Sequence, residues 1–330
     1  MDAVHELKLR RLAPGDLDAV VALDAGLAGR TRRAYFERRL AAALRQPELH
    51  LQFAAESAGA LVGHALARVL EGEFGLAAPA LRLEVISVSR REQRRGVGRA
   101  LHAALEAEAR TRALAELRTV AAWRDHDMLR FLDGMGYALA ASQVLDCALR
   151  ESPLLRPQPA PAPPAHGDAN DYGAPARDPA QLARDAVDVR LLTLKDLGDV
   201  VRIDRQITGR ERRAYVQRAL DEALRESGVR ISLAARLDGV LAGFVMARAD
   251  LGDFGRTEPV AVIDLLGVSP DYAQRGVGRA LLEQLFLNLD ALRIERVETL
   301  VEARAPGLAG FFHGAGLAPA QRLAFVKRVA

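Results

Sequence analysis

Hydrophobic and polar positions alternate along the chain in blocks whose period changes, and the changes mark the elements. An extended segment opens the chain at Leu7 to Leu12 and returns at Val187 to Leu192. After Pro14, apolar residues at Leu17, Val20, Val21 and Leu23 follow helical spacing. This predicts two helical segments near 15–28 and 31–45, and again near 195–206 and 210–226. Two strands follow, Leu49 to Glu56 and Leu61 to Leu70, around Ser57-Ala58-Gly59. Their counterparts, Val229 to Arg236 and Val240 to Ala249, flank Asp238-Gly239, a hairpin signal. A third strand spans Leu81 to Val88, and Val260 to Val268. Then come a helix (Gly96 to Arg112, Gly276 to Leu292), a strand (Leu117 to Ala122, Arg296 to Val301), a short helix (near 126–134 and 307–314), a glycine corner and a final strand. The order β-α-α-β-β-β-α-β-α-β predicts an α+β layer structure, twice over, each copy a mixed, mostly antiparallel sheet flanked by helices.

The two copies are one domain duplicated. Gly96-Val97-Gly98-Arg99-Ala100-Leu101 recurs 180 residues later as Gly276-Val277-Gly278-Arg279-Ala280-Leu281. The same offset pairs Asp16-Leu17 with Asp196-Leu197, Arg32-Arg33-Ala34-Tyr35 with Arg212-Arg213-Ala214-Tyr215, and Gly136 with Gly316. The expected division is 1–150, a linker over 151–186, and 187–330. The linker centre, Pro157 to Ala165, favours extended polyproline II and cannot build a core. Pro179 to Arg184 could add a helical turn. Two sets of elements joined this way predict halves that fold separately.

Composition narrows the function. A net charge of +3 over 330 residues is weak support for nucleic acid. The single cysteine, Cys147, precludes an intrachain disulfide and gives no sign of secretion. The charged N-terminus lacks the apolar core of a secretory signal, and no run approaches the length of a membrane span. The expectation is a soluble cytoplasmic protein.

The most informative segment is the strand-to-helix turn. It reads Ser89-Arg90-Arg91-Glu92-Gln93-Arg94-Arg95-Gly96-Val97-Gly98-Arg99, and in the second copy Ser269-Pro270-Asp271-Tyr272-Ala273-Gln274-Arg275-Gly276-Val277-Gly278-Arg279. Glycines at the mouth of a helix let backbone N–H groups close on an anion, the helix dipole favours a phosphate, and the arginines add charge. A dinucleotide fingerprint would need a third small residue where Leu101 and Leu281 stand, and a P-loop needs a terminal Gly-Lys-Ser/Thr that neither copy has. A solvated basic turn and a nucleic-acid patch made by Arg90, Arg91, Arg94, Arg95 and Arg99 remain as rivals. The patch lacks interleaved aromatics.

Gln93-x-x-Gly96-x-Gly98 resembles the acyl-CoA signature of the GNAT N-acyltransferases, Q/R-x-x-G-x-G/A. The corners Phe131-Leu132-Asp133-Gly134-Met135-Gly136-Tyr137 and Phe311-Phe312-His313-Gly314-Ala315-Gly316-Leu317 resemble that family's F-Y-x-x-x-G-F. The likeness covers each half almost end to end. It implies that Gln93, Arg94, Arg95, Gly96, Val97, Gly98 and Arg99, and Gln274, Arg275, Gly276, Val277, Gly278 and Arg279, hold the CoA pyrophosphate. It implies that Ile86 to Val88 and Leu266 to Val268 pair with pantetheine. The second copy departs from the pattern with Ala273 where Gln or Arg is usual. The implied cosubstrate is acetyl-CoA with an amine acceptor and no metal, nucleic acid or membrane; a homodimer stays open.

Acyl transfer to an amine needs a proton acceptor and a proton for the leaving thiolate. Glu84 and Asp264, in the strand before the turn, are the candidate general bases. Strict alternation would put Glu84, Ile86 and Val88 on one face, and Asp264, Leu266 and Val268 likewise; an exposed or salt-bridged acid is the competing reading. The tyrosine the family often uses as acid is replaced by Leu132 and Phe312, with His126 and His313 as candidate substitutes. Between the early helices, Tyr35 and Tyr215 are candidates to orient an acceptor, and Arg30 and Arg210 to hold a carboxylate, against a plain role in helix packing. Glu71, Glu73 and Asp253 are weaker candidates to attract an amine. The expected function is acetyl transfer by direct attack. The alternative is that one or both halves only bind acyl-CoA.

Overall fold

The structure is a computed structural model. It describes residues 6–72, 78–156, 187–225, 231–250 and 260–329. The linker centre and the loop residues Glu73, Phe74-Gly75, Asp253 and Phe254-Gly255 lie outside the described residues.

The first half runs β1 (Lys8–Arg11), α1 (Leu17–Ala28), α2 (Arg33–Arg45), β2 (His50–Ser57), β3 (Ala60–Leu70), β4 (Ala80–Val88), α3 (Val97–Thr111), β5 (Glu116–Ala122), α4 (His126–Gly134), β6 (Ala138–Leu139) and β7 (Ser142–Ala148). The second repeats it as β8 (Asp188–Leu191), α5 (Leu197–Thr208), α6 (Arg213–Arg225), β9 (Leu233–Leu237), β10 (Val240–Asp250), β11 (Val260–Val268), α7 (Val277–Ala291), β12 (Arg296–Glu302), α8 (Pro306–Gly314), β13 (Ala318–Pro319) and β14 (Arg322–Arg328). Pro14 makes a single 3₁₀ turn that leads into α1. Both hairpin turns, Ala58-Gly59 and Asp238-Gly239, have positive φ at both residues, the twist that suits antiparallel neighbours.

Two mixed, mostly antiparallel seven-stranded sheets result. Among the described residues, the parallel contacts are β4 with β5 in one sheet and β11 with β12 in the other. In the first sheet α3 and α4 cover one face, with Leu101, Leu105 and Leu132 in its core. On the other face α1 and α2 bring Val20, Tyr35 and Phe36 against Leu66 and Val85.

The final strands depart from the sequence expectation. The orders are β1-β2-β3-β4-β5-β14-β6 and β13-β7-β12-β11-β10-β9-β8, so each half lends its last strand to the other's sheet. β14 pairs with β5 from Arg322 opposite Ala122 to Arg328 opposite Glu116. β7 pairs with β12 from Ser142 opposite Glu302 to Ala148 opposite Arg296. Nothing in an alternating strand sequence says which sheet it will join. Among the described residues, no helix is long and apolar enough to cross a membrane.

Candidate functional site

The site forms where β4 parts from β5. Their parallel register holds at Leu81 with Leu117 and Arg82 with Arg118, and stops there. At the next position the Thr119 hydroxyl donates to the Leu83 carbonyl (2.9 Å), and Thr299 does the same to Ile263 (3.1 Å). Beyond this point β4 runs on to Val88 without β5 as a partner, leaving an opening beside the turn.

The turn itself ends in αL geometry, with φ +62° at Arg94 and +90° at Gly96; Gln274 and Gly276 repeat it at +62° and +77°. Ala100 N–H reaches the Gly96 carbonyl (2.9 Å), as Ala280 N–H reaches Gly276 (2.9 Å). The amides before them, from Gly96 to Arg99 and Gly276 to Arg279, have no backbone acceptor among the described residues, as a helix start requires. A Cβ on Gly96 would meet nothing within 4 Å, so nothing packs against the turn on that side. Arg94, Arg95 and Arg99 are exposed beside it. These groups fit a pyrophosphate.

Two residues act differently from the expectation. The Gln93 amide donates to the Val88 carbonyl (3.1 Å) and braces the end of β4. Ala273 cannot do this; there Arg275 stacks over Tyr272, 5.5 Å from its ring centre. Gly98 and Gly278 are small for packing: a Cβ would stand 3.2 Å from Phe131 and 3.1 Å from Phe311. The aromatic of each corner therefore seats the helix start.

The expected shared face of Glu84, Ile86 and Val88 is corrected by a β-bulge. Leu66 opposes Val85 while Ala67 opposes Leu83, so Glu84 is the extra residue. In β11, Met246 opposes Leu265 and Ala247 opposes Ile263, which makes Asp264 the extra one. Ile86 and Val88 pack on the α3 side, Leu266 and Val268 on the α7 side. Glu84 and Asp264 face the opposite way, into one cavity of about 490 Å³ between the halves.

Tyr35, Tyr215, Arg39, Arg68, Arg218 and Arg248 are among its walls. Glu84 is ion-paired with Arg39, its side chain 5% exposed. Asp264 accepts from Arg248 (2.8 Å) and is 24% exposed. Pairs cross between halves: Arg68 donates to Glu222 (2.6 and 2.7 Å) and Arg218 to Glu71 (2.9 Å).

Tyr35 and Tyr215 lie against Arg32 and Arg212, whose guanidinium carbons are each 5.2 Å from the ring centre. Those arginines are locked onto Asp24 and Asp204 (2.9 Å each). Arg30 and Arg210 do not line the cavity, and the arginines that do were missed by sequence reading. They sit on α2, β3, β4, α6 and β10, outside any motif. Leu132 and Phe312 are wholly buried and carry no proton, while His126 and His313 are exposed on α4 and α8. Cys147 is buried, its thiol pushed up to about 11 by desolvation, which suits a core residue.

The family model for the acetyltransferase (GNAT) family matches residues 21–137 and 199–316. Among curated proteins none matches. A tandem GNAT protein from the clavulanic acid biosynthesis pathway is similar in structure: TM-score 0.66, 19% identity, 98% of this chain and 99% of that one. A GCN5-related N-acetyltransferase from Sphaerobacter thermophilus gives TM-score 0.59 and 18% identity over 98% of this chain and 96% of that one. A glucosamine N-acetyltransferase region of a fungal multi-domain β-N-acetylglucosaminidase gives 0.65 and 14%; this chain is 98% covered and spans 38% of that longer protein. At these identities the likeness is one of fold.

Proposed function

The chain belongs to the acetyltransferase (GNAT) family through both of its halves, and from that premise we propose that it moves an acetyl group from acetyl-CoA to a primary amine by direct attack. The observation that carries the proposal is the pairing, in each half, of an amide cradle with a strand that leaves its parallel neighbour. The cradle holds the pyrophosphate through Gly96 to Arg99 or Gly276 to Arg279. Ile86 to Val88, or Leu266 to Val268, pair with pantetheine. The amine reaches the thioester from the cavity, where Glu84 and Asp264 stand. The nitrogen–carbon bond forms and the carbon–sulfur bond breaks. The ammonium proton goes to a carboxylate or to water, and water protonates the thiolate, because Leu132 and Phe312 cannot.

Of the two carboxylates, Asp264 is the more accessible. Glu84 is held by Arg39, whose counterpart in the second half is Ala219. This favours a second reading in which the first half binds the donor without turning it over. Thiol release from acetyl-CoA with a panel of amines tests both. Turnover that Asp264→Asn removes and Glu84→Gln spares places catalysis in the second half. Absence of turnover with every amine, while CoA binds, makes the chain a binding module.

A further inference from the structure

We propose that Arg212 is a positioning residue for the second half's acceptor site, and that its seat is main chain of the first half. The inference rests on the acyl-transfer reading, with Asp264 as the carboxylate of the working half. It adds how the acceptor wall of that half is held.

Arg212 closes the elbow between α5 and α6 and is the last residue before α6 begins. Its guanidinium faces three ways. Nε donates to Asp204 on α5 (2.9 Å), and Nη2 reaches the other oxygen of that carboxylate. Nη1 donates to the Gly72 carbonyl (2.5 Å), in the first half's loop after β3. The guanidinium carbon stands 5.2 Å from the centre of the Tyr215 ring. The Arg212 side chain is 13% exposed and that of Asp204 5%, so water does little to weaken these charged hydrogen bonds. A guanidinium is planar and rigid. Bonds along its edges fix where its face lies, and Tyr215 packs on that face. Tyr215 and Asp264 border the same cavity. A wall of the second half's acceptor site is therefore placed by a carbonyl of the other half.

The identity of Gly72 supports this. Its φ is not in the positive range, so its backbone does not call for glycine. A Cβ there would overlap Arg212 Nη1, so the missing side chain is what admits the arginine. The contact continues along α6. Arg218 donates to Glu71 (2.9 Å), and Glu222 accepts from Arg68 (2.6 and 2.7 Å). Tyr215, Arg218 and Glu222 are spaced three and four apart and share one face of the helix. The first half's α2 is built otherwise. At the 180-residue offset Glu222 corresponds to Ala42, and Ala219 corresponds to Arg39, which pairs with Glu84 in its own half. The helix with these cross-half pairs thus belongs to the half with the more accessible carboxylate, which makes the first half a support for the second half's chemistry.

The test changes the first half and reads the second. Gly72→Ala in the full chain displaces Arg212 Nη1 with one methyl group and leaves the Asp204 pair in place. Amide exchange over 213–225 should quicken about tenfold, because α6 loses a charged hydrogen bond to its support. With an amine that the panel shows to be acetylated, kcat/KM should fall about tenfold through the acceptor's KM, with kcat nearly unchanged. CoA affinity by calorimetry and Trp123 fluorescence should stay as in the parent. Arg212→Lys should act in the same direction, since a lysine can pair with Asp204 but offers Tyr215 no flat face. The double variant should lose no more than Arg212→Lys alone. Faster exchange with an unchanged acceptor KM, additive losses in the double variant, weakened CoA binding, or turnover that survives Asp264→Asn overturns the proposal. If no amine is acetylated the acyl-transfer reading fails, and exchange over 213–225 still decides whether the first half seats the helix.

Discussion

The two halves share a backbone plan and differ in what fills it, most clearly beneath the exchanged strands. In the first half His102 Nε2 and the Tyr137 hydroxyl lie 3.2 Å apart, and Glu106 receives Lys327 from β14 (3.0 Å). At the 180-residue offset stand Leu282, Leu317, Phe286 and, on β7, Cys147, all in one apolar cluster. Each core therefore suits the strand that comes to it from the other half. If each strand returned to its own sheet, Lys327 would meet Leu282 and Phe286, and Glu106 would meet Cys147. A lysine there would lose its carboxylate and its water together, which is costly. Core chemistry thus favours the exchanged arrangement over the unexchanged one.

The exchange can be broken most severely by truncation. Deleting residues 321–330 removes β14, so the N-terminal half should lose its fold while the C-terminal sheet keeps β7. Trp123 is the only tryptophan, and its backbone N–H donates to the Gln321 carbonyl (3.0 Å). Its fluorescence therefore reports the half expected to fail. A native-like spectrum in the truncated chain would refute the assignment of β14. For the same reason, a protease cut within 157–186 should give two fragments that stay together on a sizing column. This replaces the separate folding that the repeat and linker suggest.

What was legible in the sequence follows from what is local. The turn, its glycines and the element order each depend on residues close in the chain, and the 180-residue repeat checks every element against a copy. The strand exchange is a choice between two similar acceptors, and it becomes visible only when Lys327 and Cys147 are placed beside their neighbours. The bulge at Glu84 and Asp264 has no glycine or proline to announce it, so simple alternation assigned both carboxylates to the wrong face. The cavity arginines escaped because they come from five elements and share no motif.

A charge introduced into the apolar core comes next in size. Cys147→Lys should destabilise the second half by about 3–5 kcal/mol, because the new ammonium has no partner among Leu282, Phe286 and Leu317. Lys327→Met should cost less, about 1–2 kcal/mol, since Glu106 keeps Arg110 (3.1 Å). Urea denaturation measures both, and equal effects would show that the two cores do not discriminate between strands.

The carboxylates give a comparison in rate. Asp264→Asn should lower turnover about 10²-fold if it is the base of the active half, with Glu84→Gln changing it less than threefold. Steady-state kinetics with an amine that the panel shows to be acetylated measures this. The reverse ranking would place catalysis in the first half despite the Arg39 pair.

The smallest expected effect concerns protons. The first half buries three histidines, and burial holds all three well below the ordinary value: His50 at about 2, His64 and His102 at about 4. The second half has Phe244 and Leu282 where His64 and His102 stand. His64 is the cleanest case. It is wholly buried, and neither ring nitrogen has a hydrogen-bond partner among the described residues. The Phe36 ring lies 5.5 Å away, and the nearby Asp24 and Arg32 charges oppose each other. A depressed folded-state pKa means that the unfolded chain takes up the proton first as pH falls below about 6.5. Stability is then lost at about 1.4 kcal/mol per pH unit for each such histidine, down to its folded value. The second half supplies the replacement. His64 lies opposite Ser87 across the β3–β4 pair, and Phe244 opposite Gly267 across β10–β11. The phenyl ring needs the glycine: a Cβ on Gly267 would come within 2.7 Å of it. The double change His64→Phe with Ser87→Gly should therefore be tolerated at pH 7.5, within about 1.5 kcal/mol of the parent. Between pH 6.5 and 4 its stability should fall less steeply, by one histidine's share. Urea midpoints for the first half, followed by Trp123 at pH 7.5 and pH 5, test this. Parallel losses in the two proteins would mean that His64 takes up no proton on unfolding, and that the acid sensitivity of this half lies with His50 and His102.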